Sequence, residues 1–142
     1  MKILVTGSNG QLGNEMRVLA QSYPNHTYFF TDVEDLDITN RAAVADFITA
    51  NAIDLIVNCA AYTNVDKAEE DEATAMRINA EALSVLGSQG IRVIHISTDY
   101  VFSGEEHKPC RESDHTAPRT VYGHTKYEGE KRLLAVCPEA VI

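Results

Sequence analysis

Tyr122 and Lys126 stand four positions apart in Val121-Tyr-Gly-His-Thr-Lys-Tyr-Glu-Gly-Glu-Lys-Arg-Leu-Leu134. On a helix that spacing puts both side chains on one face. A free phenol, with a pKa of about 10, exchanges protons too reluctantly at neutral pH. A nearby lysine ammonium stabilises the phenolate and lowers that value. A tyrosine tuned in this way can give a proton to a carbonyl oxygen as hydride reaches the carbon. Thr98, two dozen residues earlier, could hydrogen-bond the same oxygen and fix its position. Y-x-x-x-K alone is usually just helix surface, so its meaning depends on what else the chain holds.

The hydride would need a carrier, and the N-terminus has the pattern that binds one. Ile3, Leu4 and Val5 form an apolar run suited to a strand buried on both faces. Gly7, Gly10 and Gly13 follow, and a helical pattern of Leu12, Met16, Leu19 and Ala20 starts among them. Strand, glycine turn and helix are the context of a dinucleotide fingerprint. Gly7 permits the tight turn, Gly10 a close approach of backbone to a pyrophosphate, and Gly13 close packing of helix on strand. The helix N-terminus offers unpaired N–H groups and a partial positive charge. The spacing is G-x-x-G-x-x-G rather than G-x-G-x-x-G.

Other elements must carry these groups to one place. A second strand is expected over His26–Thr31, and Asp32 follows it, about 20 residues past the glycine turn, where a carboxylate can accept adenosine ribose hydroxyls. Asp32, Glu34, Asp35 and Asp37 have no Arg among them in sequence, so a 2′-phosphate would be repelled and NADH is favoured over NADPH. Asp37-Ile38 stands where the chain could pass the adenine ring. A helix over Arg41–Ala50 is expected, with Asn40 or Thr39 as N-cap. The third strand is Asp54–Asn58. The small Ala60 and Ala61 after it would let a cofactor lie against the backbone, or would simply pack a loop on a helix.

Val65–Glu72 reads as a charged, solvated segment, and Ala73–Ser88 as a helix carrying Asn79 among apolar neighbours, where a buried amide would hold backbone or water. The fourth strand is Arg92–Ser97, with His95 as a core histidine. Ligands in open α/β sheets sit beyond the carboxyl ends of strands, which places Ser97, Thr98 and Asp99 for chemistry. Residues 103–118 read as a long loop, and Ala140–Ile142 as the opening of a fifth strand. The expected fold is therefore α/β: a Rossmann-like doubly wound parallel sheet of four to five strands, one domain over residues 1–142.

Composition narrows the partners. The net charge of −9 argues against nucleic acid or an anionic membrane surface. No apolar run is long enough to span a membrane, and no signal-peptide pattern opens the chain. Cys59, Cys110 and Cys137 form no C-x-x-C pair, which suits a reducing cytoplasm, and no Cys or His spacing implies a metal site.

With these residues placed, the chain resembles the dTDP-4-dehydrorhamnose reductases, a family of extended short-chain dehydrogenase/reductases. The matching pieces are Gly7-Ser-Asn-Gly-Gln-Leu-Gly13, Asp37-Ile-Thr, Val57-Asn-Cys-Ala-Ala-Tyr-Thr-Asn-Val-Asp-Lys-Ala-Glu69, Ser97-Thr-Asp-Tyr-Val-Phe102 and Tyr122-Gly-His-Thr-Lys126 with Gly129-Glu130. The resemblance implies reduction of the 4-keto group of a dTDP-linked 6-deoxy sugar to give dTDP-L-rhamnose, with NADH or NADPH. It implies a catalytic set of Thr98, Tyr122 and Lys126. Gly10, Gln11 and Leu12 would hold the pyrophosphate and Asp32 the ribose. Asp37, Ile38, Ala61, Tyr62 and Thr63 would line the cofactor cleft, and Thr98 and Asp99 would face the sugar. Some family members use magnesium at a dimer contact; no ligand for it can be assigned here, although a homodimer is compatible with the sequence.

Two departures stand out. The chain stops where the family enters its second half, which carries most of the sugar-nucleotide pocket, and Asn79–Gly90 is about one helical turn short. A nucleotide-sugar epimerase or dehydratase on the same scaffold, or a non-catalytic dinucleotide-binding subunit, are the alternatives.

Overall fold

The computed structural model describes residues 1–105 and 109–142. Four parallel strands, β1 (Lys2–Thr6), β2 (Thr27–Thr31), β3 (Leu55–Asn58) and β4 (Arg92–His95), lie in the order β2-β1-β3-β4. The order reverses between β1 and β3, so the chain leaves the two central strands in opposite directions and opens a crevice at their carboxyl ends. Leu4 sits between Phe29 on one side and Ile56 on the other. Being flanked by strands and covered on both faces, Leu4 and Val5 are fully buried, which is why β1 reads as a continuous apolar run. Val141, within the expected strand opening at Ala140–Ile142, forms a single isolated parallel bridge to Ile94 and no strand.

The helices are α1 (Gln11–Gln21), α2 (Arg41–Asn51), α3 (Val65–Glu70), α4 (Glu72–Met76), α5 (Ala82–Gly87) and α6 (Val121–Val136). One core joins Leu4, Ile56 and Val93 to Val44 and Ile48 of α2, Leu83 and Leu86 of α5, and Leu133 of α6. A smaller cluster on the opposite sheet face gathers Ile3, Val5 and Val57 against Met16 of α1. Helices thus cover both faces, as the doubly wound expectation requires.

Two segments depart from the sequence reading. Val65–Glu70 is solvated, as expected, but forms a helix, because Asn64 caps it by accepting the Lys67 N–H at 3.0 Å and Ala68 is buried beneath it. The next helix starts at Glu72, capped by Asp71, and is interrupted by a π turn over Arg77–Glu81 before continuing as α5. That turn carries Asn79, whose carbonyl lies so near α6 that a Cβ on Gly129 would fall 2.0 Å from it. Strand β4 stops at His95 instead of Ser97, since ladder pairing ends with Asn58 opposite His95. The expected loop over 103–118 has no helix or strand among its described residues, and 106–108 lie outside them.

Asn40 caps α2 by accepting the Ala43 N–H at 3.1 Å. Asn40→Ala is expected to cost about 1 kcal/mol, to be read by urea denaturation; an unchanged midpoint would show the cap to be idle.

Candidate functional site

A cleft of about 780 Å³ lies at the carboxyl ends of the strands, over the β1/β3 reversal. The glycine turn forms one wall. Gly7 has a φ of +63°, and a Cβ there would fall 2.6 Å from the Ala60 backbone, so β1 and the loop after β3 can meet only through a glycine. Gly13 sits under the turn and outside the cleft lining, with a Cβ position 2.5 Å from the Gly7 carbonyl oxygen and Ser8 Cα. Gly10 is different: its Cβ would meet only the Gly7 oxygen, at 3.3 Å.

Helices α2, α3, α4 and α6 each begin on a side chain that caps them. Helix α1 begins on Gly10 with no side-chain cap. Its first turn, with Gln11 and Leu12, lines the cleft. The first N–H groups of a helix lack intrahelical acceptors, so this turn presents donors and the positive end of the helix dipole to whatever fills the cleft.

Asp32 lines the same cleft and is tied to the turn, since its carboxylate accepts the Asn9 N–H at 2.9 Å and the Val33 N–H at 2.8 Å. Asp37 and Ile38 form the adjoining wall. The Thr39 hydroxyl and N–H, at 2.7 and 2.9 Å, hold the Asp37 carboxyl below its ordinary pKa, and the positive charge of Arg77 adds to the effect. Arg77 and Ile78, on the π turn, also reach the cleft. The sequence reading found no arginine near the carboxylates; the fold supplies one from a distant helix.

Cys59, Ala60, Ala61 and Thr63 line the cleft from the loop after β3. Tyr62 does not. Its backbone N–H and C=O are both taken by the Asn79 amide, at 2.8 and 3.1 Å, and the same amide donates to the Thr125 hydroxyl at 3.1 Å. Asn79 therefore fastens the cleft loop to α6, the backbone-holding use expected of it.

Tyr122 and Lys126 both line the cleft. Thr120 caps their helix by accepting the Gly123 N–H at 3.0 Å, and Glu69 accepts the Val121 N–H at 2.8 Å. The Tyr122 ring meets Tyr100 edge-on, with centroids 5.4 Å apart. Lys126 is almost fully buried; its Nζ donates to the Ile96 carbonyl at 2.7 Å and lies 3.2 Å from His95 Nε2. Burial pushes the amine down to about 8, although the Glu130 carboxylate opposes the shift. Burial and the neighbouring Lys126 push the His95 imidazole down to about 3, so it is neutral at physiological pH.

Ser97 lines the cleft and hydrogen-bonds Glu130, whereas Thr98 and Asp99 lie outside the lining. The Thr98 hydroxyl accepts the Tyr100 N–H at 3.2 Å, capping a 3-10 turn over Asp99–Val101, and donates to Asp99 at 3.3 Å. Among the described residues no three His, Cys, Asp or Glu side chains gather as metal ligands, and no helix is long and apolar enough to cross a membrane.

The family model described as RmlD substrate binding domain matches residues 1–142. A probable dTDP-4,6-dihydroxy-2-methyloxan-3-one 4-ketoreductase of Streptomyces antibioticus is 42% identical, over 100% of this chain and 50% of its own length. The crystal structure of a dTDP-4-dehydrorhamnose reductase from Clostridium acetobutylicum is 44% identical, with a TM-score of 0.94 over 99% of this chain and 51% of that one. A second, from Bacillus anthracis in complex with NADP, is 32% identical, with a TM-score of 0.93 over 98% of this chain and 51% of that one. The chain spans about half the length of the curated relatives it matches.

Proposed function

This chain belongs to the family of the RmlD substrate binding domain, and from that premise we propose that its cleft holds NADH or NADPH in a reductase of dTDP-linked 4-keto-6-deoxy sugars, with dTDP-4-dehydrorhamnose as the substrate. The carrying observation is the uncapped start of α1, facing a cleft that also contains Asp32, Tyr122 and Lys126. The donors of Gln11 and Leu12 suit the pyrophosphate, with Gly10 leaving room for it. Asp32 suits the adenosine ribose and disfavours a 2′-phosphate, while Arg77 in the same cleft supplies a cation that would offset it. Competition of NADPH against bound NADH decides between them.

When bound, the nicotinamide supplies the hydride. The protein's share is placement and a proton. Tyr122 gives its phenolic proton to the substrate oxygen, and Lys126 lowers the cost of the phenolate. Thr98 and Asp99, past the end of β4 and outside the cleft lining, serve that oxygen and the sugar only if the nucleotide sugar extends beyond the cleft toward them. The reaction takes place in the cytoplasm on a soluble nucleotide sugar, and the complete protein acts as a homodimer.

Fluorescence titration with NADH tests the cofactor reading on this chain. Gly10→Val leaves the turn close to intact, because a Cβ there meets a single atom at 3.3 Å. Its side chain occupies the pyrophosphate position, and losing one charge-assisted hydrogen bond of about 1.5–3 kcal/mol weakens binding by roughly ten- to a hundredfold. Equal titrations for the two proteins would refute the phosphate-binding role of the turn.

A further inference from the structure

Lys126 ends against two neighbours, and a third residue behind them fixes what each can do. Asn58 is buried between β1 and β4, with its Oδ1 accepting the Thr6 hydroxyl at 2.6 Å. Its Nδ2 faces the Ala60 carbonyl at 3.3 Å and His95 Nδ1 at 2.9 Å. A backbone carbonyl can only accept, so Ala60 requires the amide nitrogen on that side. The same nitrogen must then donate to His95 Nδ1, which carries no proton. A neutral imidazole has one N–H, and here it is on Nε2, 3.2 Å from the Lys126 nitrogen.

An ammonium has donors only, whereas a neutral amine has a lone pair. We propose that His95, oriented by Asn58, is a positioning residue that gives the amine form of Lys126 a hydrogen-bond donor and leaves the ammonium form facing an N–H. The lysine keeps its bond to the Ile96 carbonyl in both states. The set Thr6, Asn58, His95, Lys126 is thus satisfied throughout only when the lysine is neutral. The alternative turns the Asn58 amide, which sets its oxygen against the Ala60 oxygen and costs a buried hydrogen bond, against the pull of the Asn58 backbone carbonyl on a His95 ring proton.

Glu130, one turn along α6, favours the ammonium and is hydrogen-bonded to Ser97. Tyr122 shares α6 and the cleft, Cys59 enters it from the loop after β3, Arg77 from the π turn, and the Asp32 and Asp37 carboxylates from beyond β2. Burial, opposed by the Glu130 carboxylate, leaves the amine down at about 8, within reach of neutral pH. The functional half of the inference rests on the reading of Tyr122 and Lys126 above. An ammonium can pass one proton to a Tyr122 phenolate, leaving a phenol and an amine, and water restores the ammonium. His95 makes the amine left behind a stable species inside the protein.

The test uses the wild-type chain. Long-range proton–nitrogen NMR of the histidine rings, recorded above the Lys126 midpoint, is expected to show His95 neutral with its proton on Nε2. A proton on Nδ1 would overturn the proposal. Lysine side-chain carbon shifts followed against pH give the Lys126 midpoint in wild type and in His95→Phe, which keeps a ring but no N–H. The midpoint is expected to rise by about one pH unit, the worth of one buried hydrogen bond. An unmoved midpoint would mean that burial alone holds the amine and that His95 merely fills space. Should the variant fail to fold, the wild-type tautomer still decides. A chain that shows this tautomer but binds no dinucleotide sinks the cofactor reading and leaves the inference standing.

Discussion

On the proposed reading, Tyr122→Phe in the complete protein is expected to lower keto-sugar reduction by about 10²–10⁴-fold, the range for loss of a general acid, with cofactor affinity little changed. The substitution is conservative in packing. The Tyr122 ring is held edge-on by Tyr100 at 5.4 Å, and α6 is pinned at its start by Thr120 and Glu69. A phenylalanine keeps that ring contact and the helix cap, and removes only the hydroxyl. Turnover of the keto sugar reads the proton-donor role, and an NADH titration of the same protein reads the cleft. Full activity in the variant would place the proton source elsewhere, and Ser97, a cleft-lining hydroxyl two residues past β4, would become the first group to replace.

Gly13→Val is expected to cost at least about 3 kcal/mol, as overpacking against fixed atoms does, and to lower the thermal midpoint by roughly 10 °C. A Cβ at Gly13 would lie 2.5 Å from both the Gly7 oxygen and Ser8 Cα, and 2.7 Å from the Ser8 carbonyl carbon. All three are backbone atoms of the turn, which is anchored on both sides by the bonds from Ser8 N to Thr31 O and from Asn9 N to Asp32, at 3.0 and 2.9 Å. Nothing there can move without pulling β2 with it. The comparison with Gly10→Val is what gives the experiment its force. One glycine is needed for the fold and the other for the ligand, so the first variant should melt early and the second should melt like wild type. Equal melting of Gly13→Val and wild type would mean that α1 can shift away from the strand.

What was legible in the sequence was local. The apolar run before Gly7, the glycines at intervals of three, the carboxylate closing β2 and the four-residue step from Tyr122 to Lys126 are short-range patterns tied to short-range geometry. Hence β1, α1, β2 and α6 fall where they were expected, and Asp32, Tyr122 and Lys126 share one cleft. Contacts made across the fold were not legible. Arg77 stands 40 residues from Asp37, and no pattern near either announces the other. The bond between Lys126 and His95 spans 31 residues and that between Asn58 and His95 spans 37. His95 showed in sequence only that it alternates inward on a strand. Its hydrogen-bonding role depends on two elements meeting it from opposite sides. The short helix at Val65–Glu70 was hidden for another reason: its charge density suggested solvent, while a single buried alanine and an asparagine cap were enough to form it.

The position of β1 in the sheet has a bearing on how the chain is made. It precedes the other three described strands in the chain, yet it lies in the interior, with β2 on one side and β3 on the other. Once residue 31 has left the ribosome, β2 can cover one edge. The other stays bare until Leu55–Asn58 arrives. An apolar strand with a free row of donors and acceptors is a template for any passing strand. The nascent polypeptide is therefore most open to mispairing while the segment between β2 and β3 is being translated, and a chaperone that shields residues 2–6 during that interval would raise the yield of folded protein.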